Sequence, residues 1–121
     1  MGIRKSLQVF GNDYKTSDGS GIRDYIHVSD LATAHVQAME YMMSQNKNLI
    51  LNLATGVGYS VLDVIESAGQ VTGEVISHKV TARRPGDPAQ LIAVSKLAKD
   101  KIGFECKYSD IETILESMWN V

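Results

Sequence analysis

One cysteine, two prolines and one tryptophan occur in 121 residues, and aromatic residues make up only 7% of the chain. A single thiol, Cys106, cannot close an internal disulfide, so the fold has to stand without that staple, and this usage points to a reducing, cytoplasmic compartment. Charge of one sign is also missing: 12 Lys and Arg stand against 14 Asp and Glu, for a formal net charge of −2. That balance lacks the basic footprint of nucleic-acid binding, and no nucleic-acid partner is expected. No apolar run approaches the roughly 18 residues of a membrane span, and no apolar signal segment follows Met1, so no membrane partner is expected either. Repeats, low-complexity tracts and linkers are absent. What is present is ordinary for a globular protein, 44% hydrophobic and 21% charged residues, and the length suits one domain over residues 1–121 with a core of its own.

The order of elements is readable from periodicity and punctuation. Leu7-Gln8-Val9-Phe10 is a strand candidate that ends at Gly11-Asn12-Asp13. A polar, turn-rich loop follows at residues 15–21, and Ile22 to Val28 reads as a second β-rich run, so the two runs suggest a wide hairpin or looped excursion. Ser29 or Asp30 is placed to N-cap a helix from Leu31, with an apolar stripe of Leu31, Ala34, His35, Ala38, Met39 and Met42. Leu49 to Leu53 is a nearly continuous apolar run that suits a strand covered on both faces. Gly56-Val57-Gly58 turns the chain into a helix from about Val61, where Ser60 and Asp63 form a capping-box pattern. Gly69 inside that helix costs about 1 kcal/mol relative to Ala. Val75 to Val80 reads as a strand, Arg83 to Pro88 as a loop, and two short helices close the chain, Ser95 to about Lys101 and Asp110 to about Met118. Alternating β and α elements predict an α/β fold with some parallel pairing.

Few motifs carry chemistry. Gly56-Val57-Gly58 sits where a dinucleotide fingerprint would sit, but Val61 stands in place of the third glycine, and a plain tight turn is the simpler account. Arg83-Arg84-Pro85-Gly86-Asp87 is more specific: guanidinium forks on a proline-fixed loop can clamp a phosphate, and the Asp can accept from sugar hydroxyls. A solvated Arg–Asp cluster worth under about 1 kcal/mol explains the same residues equally well. Arg23 can pair with neighbouring Asp24. His27, His35 and His78 lack metal-ligand spacing, His35 reads as a hydrogen-bonded core histidine, and Cys106 has no base beside it.

Several blocks in order resemble the UDP-glucose 4-epimerase family of extended short-chain dehydrogenases/reductases. They are Val9-Phe10-Gly11-Asn12-Asp13-Tyr14, Asp18 to Val28 with its Gly-x-Arg-Asp-Tyr-Ile-His-Val run, Asp30-Leu31-Ala32 with His35, Asn52 to Leu62, and Arg83 to Asp87. The resemblance runs from about Leu7 to Trp119 and corresponds to about the last third of such an enzyme. It implies an α/β fold made of the C-terminal substrate-binding part, with a small mixed sheet and about four helices, lacking the N-terminal Rossmann half. It implies that Gln8, Val9 and Phe10 line a uracil site, largely through backbone groups, that Arg23 and Arg84 hold a UDP diphosphate, and that Asp87 accepts from the ribose. Leu91 falls at a position tied to sugar size, and Ala68-Gly69 replace a bulky and a polar residue.

The family uses NAD and a Tyr helped by a Lys four residues on. No Tyr-x-x-x-Lys occurs here: Tyr14, Tyr25, Tyr41, Tyr59 and Tyr108 are followed at that distance by Asp18, Ser29, Gln45, Asp63 and Glu112. No Gly-rich NAD turn is found near the start. The resemblance therefore implies no cofactor in this chain, the NAD-binding half being absent, and a UDP- or UDP-sugar-binding segment that binds weakly and does not epimerise alone. The rival expectations are a half-enzyme completed by a separate NAD-binding chain and a structural or oligomerisation module without ligand. Leu49 to Leu53 without a neighbouring sheet predicts a homo-oligomer, with exchange of elements between chains as one route.

Overall fold

The computed structural model describes residues 5–120. In chain order the elements are β1 (Leu7–Phe10), β2 (Ile22–Arg23), α1 (Val28–Gln45), β3 (Tyr59–Ser60), α2 (Val61–Thr72), β4 (His78–Thr81), β5 (Gln90–Leu91), α3 (Lys96–Ile102) and α4 (Ile111–Trp119). The expected single mixed sheet is two sheets. β1 pairs in parallel with β4, from Leu7 opposite His78 to Phe10 opposite Thr81. β2 lies between β3, antiparallel, and β5, parallel. The expected hairpin between the first two β-rich runs is therefore not formed, because each run finds its partner far along the chain.

The second run is also shorter than its composition suggests. It leaves the sheet after Arg23 because the Asp24 carboxylate turns to Thr55 and Gly56, accepting from the Thr55 amide at 3.0 Å and hydroxyl at 2.7 Å and from the Gly56 amide at 3.0 Å. α1 then starts three residues earlier than expected. Its N-cap is His27, whose Nδ1 accepts from the Ser29 amide at 3.0 Å, a job usually done by a short side-chain oxygen. Asp30 is free for other work: it is 2% exposed, and its carboxylate accepts from the Lys107 amide at 3.1 Å, the Tyr108 amide at 2.9 Å and the Ser109 hydroxyl at 2.6 Å. Asn46 ends α1 in the left-handed conformation, φ 49°, which Asn tolerates better than most residues.

His35 is not a core histidine. It is exposed on α1, its Nδ1 2.7 Å from the Leu31 carbonyl oxygen. Leu49 to Leu53 forms no strand and pairs with none, contrary to the expectation of a strand covered on both faces. Leu51 and Leu53 lean on a core of Ala34, Ala98 and Phe104, together with Ile102 and Cys106.

The later elements follow local chemistry closely. Ser60 and Asp63 form the reciprocal capping box of α2, with both hydrogen bonds at 2.9 Å. Asp110 caps α4 by accepting from the Thr113 amide at 2.8 Å. β4 begins three residues later than the Val75 start read from composition. No helix of the described residues is long and apolar enough to cross a membrane.

Candidate functional site

Period-two alternation along β1 separates its residues by face. Val9, 1% exposed, turns into the interior, while Gln8 and Phe10 border a cavity of about 250 Å³. The same cavity is bordered by Arg23 and Tyr25, again two apart, and by Arg84 and Asp87 from the loop after β4. Asp24, between Arg23 and Tyr25, points the other way to the 55–56 loop.

Asp87 organises the charges. Its two carboxylate oxygens pair with different arginines, Arg23 Nη2 at 3.3 Å and Arg84 Nε at 3.1 Å. Arg23 also donates from Nη1 to its neighbour's Ile22 carbonyl at 2.7 Å, and the Arg84 guanidinium lies 4.6 Å from the centroid of the Phe10 ring. Two cations share one anion, so the cluster keeps a net positive charge and several undirected N–H groups, the donor set that suits a phosphate. Pro85 and Gly86, the latter at φ +83°, turn the loop so that the Asp87 amide reaches the Arg84 carbonyl at 3.3 Å. Burial pushes the Tyr25 hydroxyl above its ordinary pKa, partly opposed by the Arg23 charge.

Of the sequence-derived candidates, Gln8, Phe10, Arg23, Arg84 and Asp87 meet at this cavity. The Val9 side chain does not border it, and Leu91, 61% exposed on β5, lies outside its lining. Arg83 and Arg84 part company. The Arg83 Nε binds the Asp13 carboxylate at 2.6 Å, a second nitrogen bonds the Asp13 carbonyl, and the guanidinium stacks 4.1 Å from the centroid of the Tyr14 ring. The pairing of both loop arginines on one phosphate is thus not what forms, since one is spent in holding the 11–14 turn. Gly11 permits this approach: at φ +88°, an added Cβ would lie 2.7 Å from Arg83 Cγ.

Tyr14, Tyr25, Gly21 and Val61 also line the cavity and were not singled out from sequence. The alternation that brings Arg23 to the cavity carried the signal for Tyr25; Val61 has no sequence signal. The Gly56-Val57-Gly58 turn is structural. Its Gly56 amide donates to Asp24 and its Val57 amide to the Thr55 hydroxyl, and a Cβ on Gly58 would lie 2.4 Å from Ile92 and 2.6 Å from Ile22. Among the described residues no group of His, Cys, Asp and Glu could hold a metal ion. Burial raises the Cys106 thiol, which makes it less of a nucleophile.

Residues 2–54 match the NAD dependent epimerase/dehydratase family. The UDP-glucose 4-epimerase of Halalkalibacterium halodurans is 48% identical over 120 residues, which is 99% of this chain and 36% of that protein. The crystal structure of UDP-glucose-4-epimerase from Stenotrophomonas maltophila with bound NAD and formylated UDP-arabinopyranose superposes with a TM-score of 0.93 at 39% identity, covering 98% of this chain and 35% of that one. That of Bifidobacterium longum UDP-glucose 4-epimerase, in complex with NAD+ and UDP, has a TM-score of 0.89 at 38% identity, with 98% and 35% covered. The expectation of no cofactor in this chain, its NAD-binding half being absent, does not stand: a family described by its NAD dependence matches residues 2–54, and these solved relatives hold NAD. The chain spans about a third of the length of the relatives it matches, and over that third it is UDP-glucose 4-epimerase-like in sequence and in fold.

Proposed function

We propose that the chain is the C-terminal, substrate-binding portion of a UDP-glucose 4-epimerase-like protein, and that its ligand is UDP or a UDP-sugar. The observation that carries this reading is the Arg23–Asp87–Arg84 cluster beside Phe10 and Gln8. A diphosphate entering the cavity takes the free N–H groups of both guanidiniums. It weakens their hold on Asp87, whose carboxylate is then available to the ribose hydroxyls. The uracil meets the backbone and side-chain edge of Gln8, Val9 and Phe10. The chain binds but does not epimerise alone, because a base of the Tyr-x-x-x-Lys kind is not in its sequence. A cytoplasmic location accompanies this reading.

Calorimetric titration with UDP tests it. Binding is expected at low salt, weakening about tenfold or more in Arg84→Ala and in Arg23→Ala, as charge-assisted hydrogen bonds are lost, and uridine is expected to bind far more weakly than UDP. No heat at millimolar UDP, or equal affinity in Arg84→Ala, overturns the proposal and favours a structural module without ligand.

A further inference from the structure

The cavity is bordered from two sheets that share no hydrogen-bonded strand. Gln8 and Phe10 reach it from β1, in the β1–β4 pair, and Arg23 reaches it from β2, in the other sheet. Each half of the site is held together within its own sheet. On the phosphate side, β5 runs beside β2, the Ile22 amide donates to the Ala89 carbonyl at 2.9 Å, and Asp87 bridges Arg23 and Arg84. On the base side, the ladder of β1 and β4 ends where the Gly11 amide donates to the Thr81 carbonyl at 2.9 Å.

Beyond that rung two loops cross from one sheet to the other, residues 11–21 and residues 82–89. Arg83 joins them. From the second loop its Nε donates to the Asp13 carboxylate at 2.6 Å and another of its nitrogens to the Asp13 carbonyl, while the guanidinium lies 4.1 Å from the centroid of the Tyr14 ring. Tyr14 is 7% exposed and borders the cavity. Its hydroxyl is buried without a hydrogen-bond partner among the described residues, so packing and this stack hold the ring. Arg83 itself does not line the cavity. The side chains of Arg83 and Asp13 are 44% and 72% exposed, and pairs so exposed add little to stability.

We propose that Arg83 is a positioning residue for the site: it clasps the two crossing loops and so fixes the distance between the base-facing edge, Gln8 to Phe10, and the Arg23–Asp87–Arg84 cluster. The proposal rests on the reading of this cavity as a UDP site. A nucleoside diphosphate binds by two ends at once, and each end helps the other only where the two subsites are held at the ligand's own spacing. A ligand with one end has no such requirement. The clasp therefore favours base and diphosphate joined in one molecule, without touching either. Lys at this position would keep the charge, but a point-like ammonium cannot bond Asp13 and lie flat on Tyr14 at once.

Calorimetric titrations with UDP and with inorganic pyrophosphate, at low salt, test the proposal on the whole chain and on Arg83→Gln, Arg83→Lys and Asp13→Ala. In all three variants UDP affinity is expected to fall about tenfold while pyrophosphate affinity stays within about twofold. Asp13→Ala separates clasp from charge, because it removes an anion near the site: an effect of charge alone would strengthen UDP binding, whereas loss of the clasp weakens it. It also stands in for Arg83→Gln if the circular dichroism spectrum of that variant shows a disturbed fold. Unchanged UDP affinity in a folded Arg83→Gln or in Asp13→Ala overturns the proposal. So does a parallel loss for pyrophosphate, or full recovery in Arg83→Lys. Absence of UDP binding in the unaltered chain is a different failure: it overturns the UDP reading of the cavity, and this proposal with it.

Discussion

At the scale of single residues, Asp30 joins the start of α1 to the 107–109 loop. Its carboxylate receives two backbone amides and the Ser109 hydroxyl, while the Ser109 oxygen accepts the His27 amide at 2.9 Å. Asp30→Asn keeps the size but replaces one acceptor by a donor facing donors, and should cost about 2–3 kcal/mol in urea denaturation. Burial pushes the Asp30 carboxyl up, but the Ser109 hydroxyl, the two amides and nearby His27 outweigh it and hold the pKa below the ordinary 3.8. Asp18 behaves alike: burial is outweighed by the hydroxyls of Ser60 and Ser20 and by the Ser20 amide. For both, the unfolded chain binds protons more readily than the folded one. Their contribution is thus complete above the unfolded pKa and is lost as pH falls through the folded one. Stability should be level above about pH 5 and decline from about pH 4 downward, with part of that decline missing in Asp30→Asn; a curve of denaturation midpoint against pH checks this.

At the scale of elements, the first turn of α2 ties down the loop that precedes β2. The Ser60 hydroxyl caps the Asp63 amide at 2.9 Å and donates to Asp18, and the Ser20 hydroxyl takes the Leu62 amide at 3.3 Å. Ser60→Ala removes the cap and one buried partner of Asp18 together, with an expected loss of about 2 kcal/mol. Gly58→Ala should cost a similar amount, about 1–3 kcal/mol, because its methyl group meets Ile22 and Ile92 where β2 and β5 run side by side. Thermal unfolding of the two variants checks both values. The cap of α2 was legible because Ser60 and Asp63 lie within one turn of each other. The cap of α1 was not, because a histidine took a role that composition assigns to Ser29 or Asp30, and Asp30 was drawn to a loop 77 to 79 residues away.

At the scale of the whole molecule, the apolar side chains with almost no exposure among the described residues are few and mostly small: Ala34, Ala54 and Ala98 with Val9 and Phe104. Large apolar side chains such as Ile50, Val75, Val94 and Met43 lie at the surface. Burial of this kind gives a modest margin over chain entropy.

The candidate site was legible in part. Arg23, Arg84, Asp87, Phe10 and Gln8 were marked by their residue types and by resemblance, and they meet at one cavity. That Arg84 faces the cavity while Arg83 faces Asp13 and Tyr14 was not legible, because adjacent arginines on a loop are alike until their partners are in place. Sequence alone determined the start of α2, the extent of α3 and α4, the turn at Gly56 and the strand at Leu7 to Phe10. Those depend on capping, chirality and period, all settled within a few residues. Tertiary structure decided which strands pair, where Asp24 and Asp30 spend their carboxylates, and that Leu49 to Leu53 stays unpaired, since each needs a partner group brought from tens of residues away. Periodicity can say that a segment is extended and apolar; only the presence or absence of a neighbour decides whether it is a strand in a sheet or a free edge.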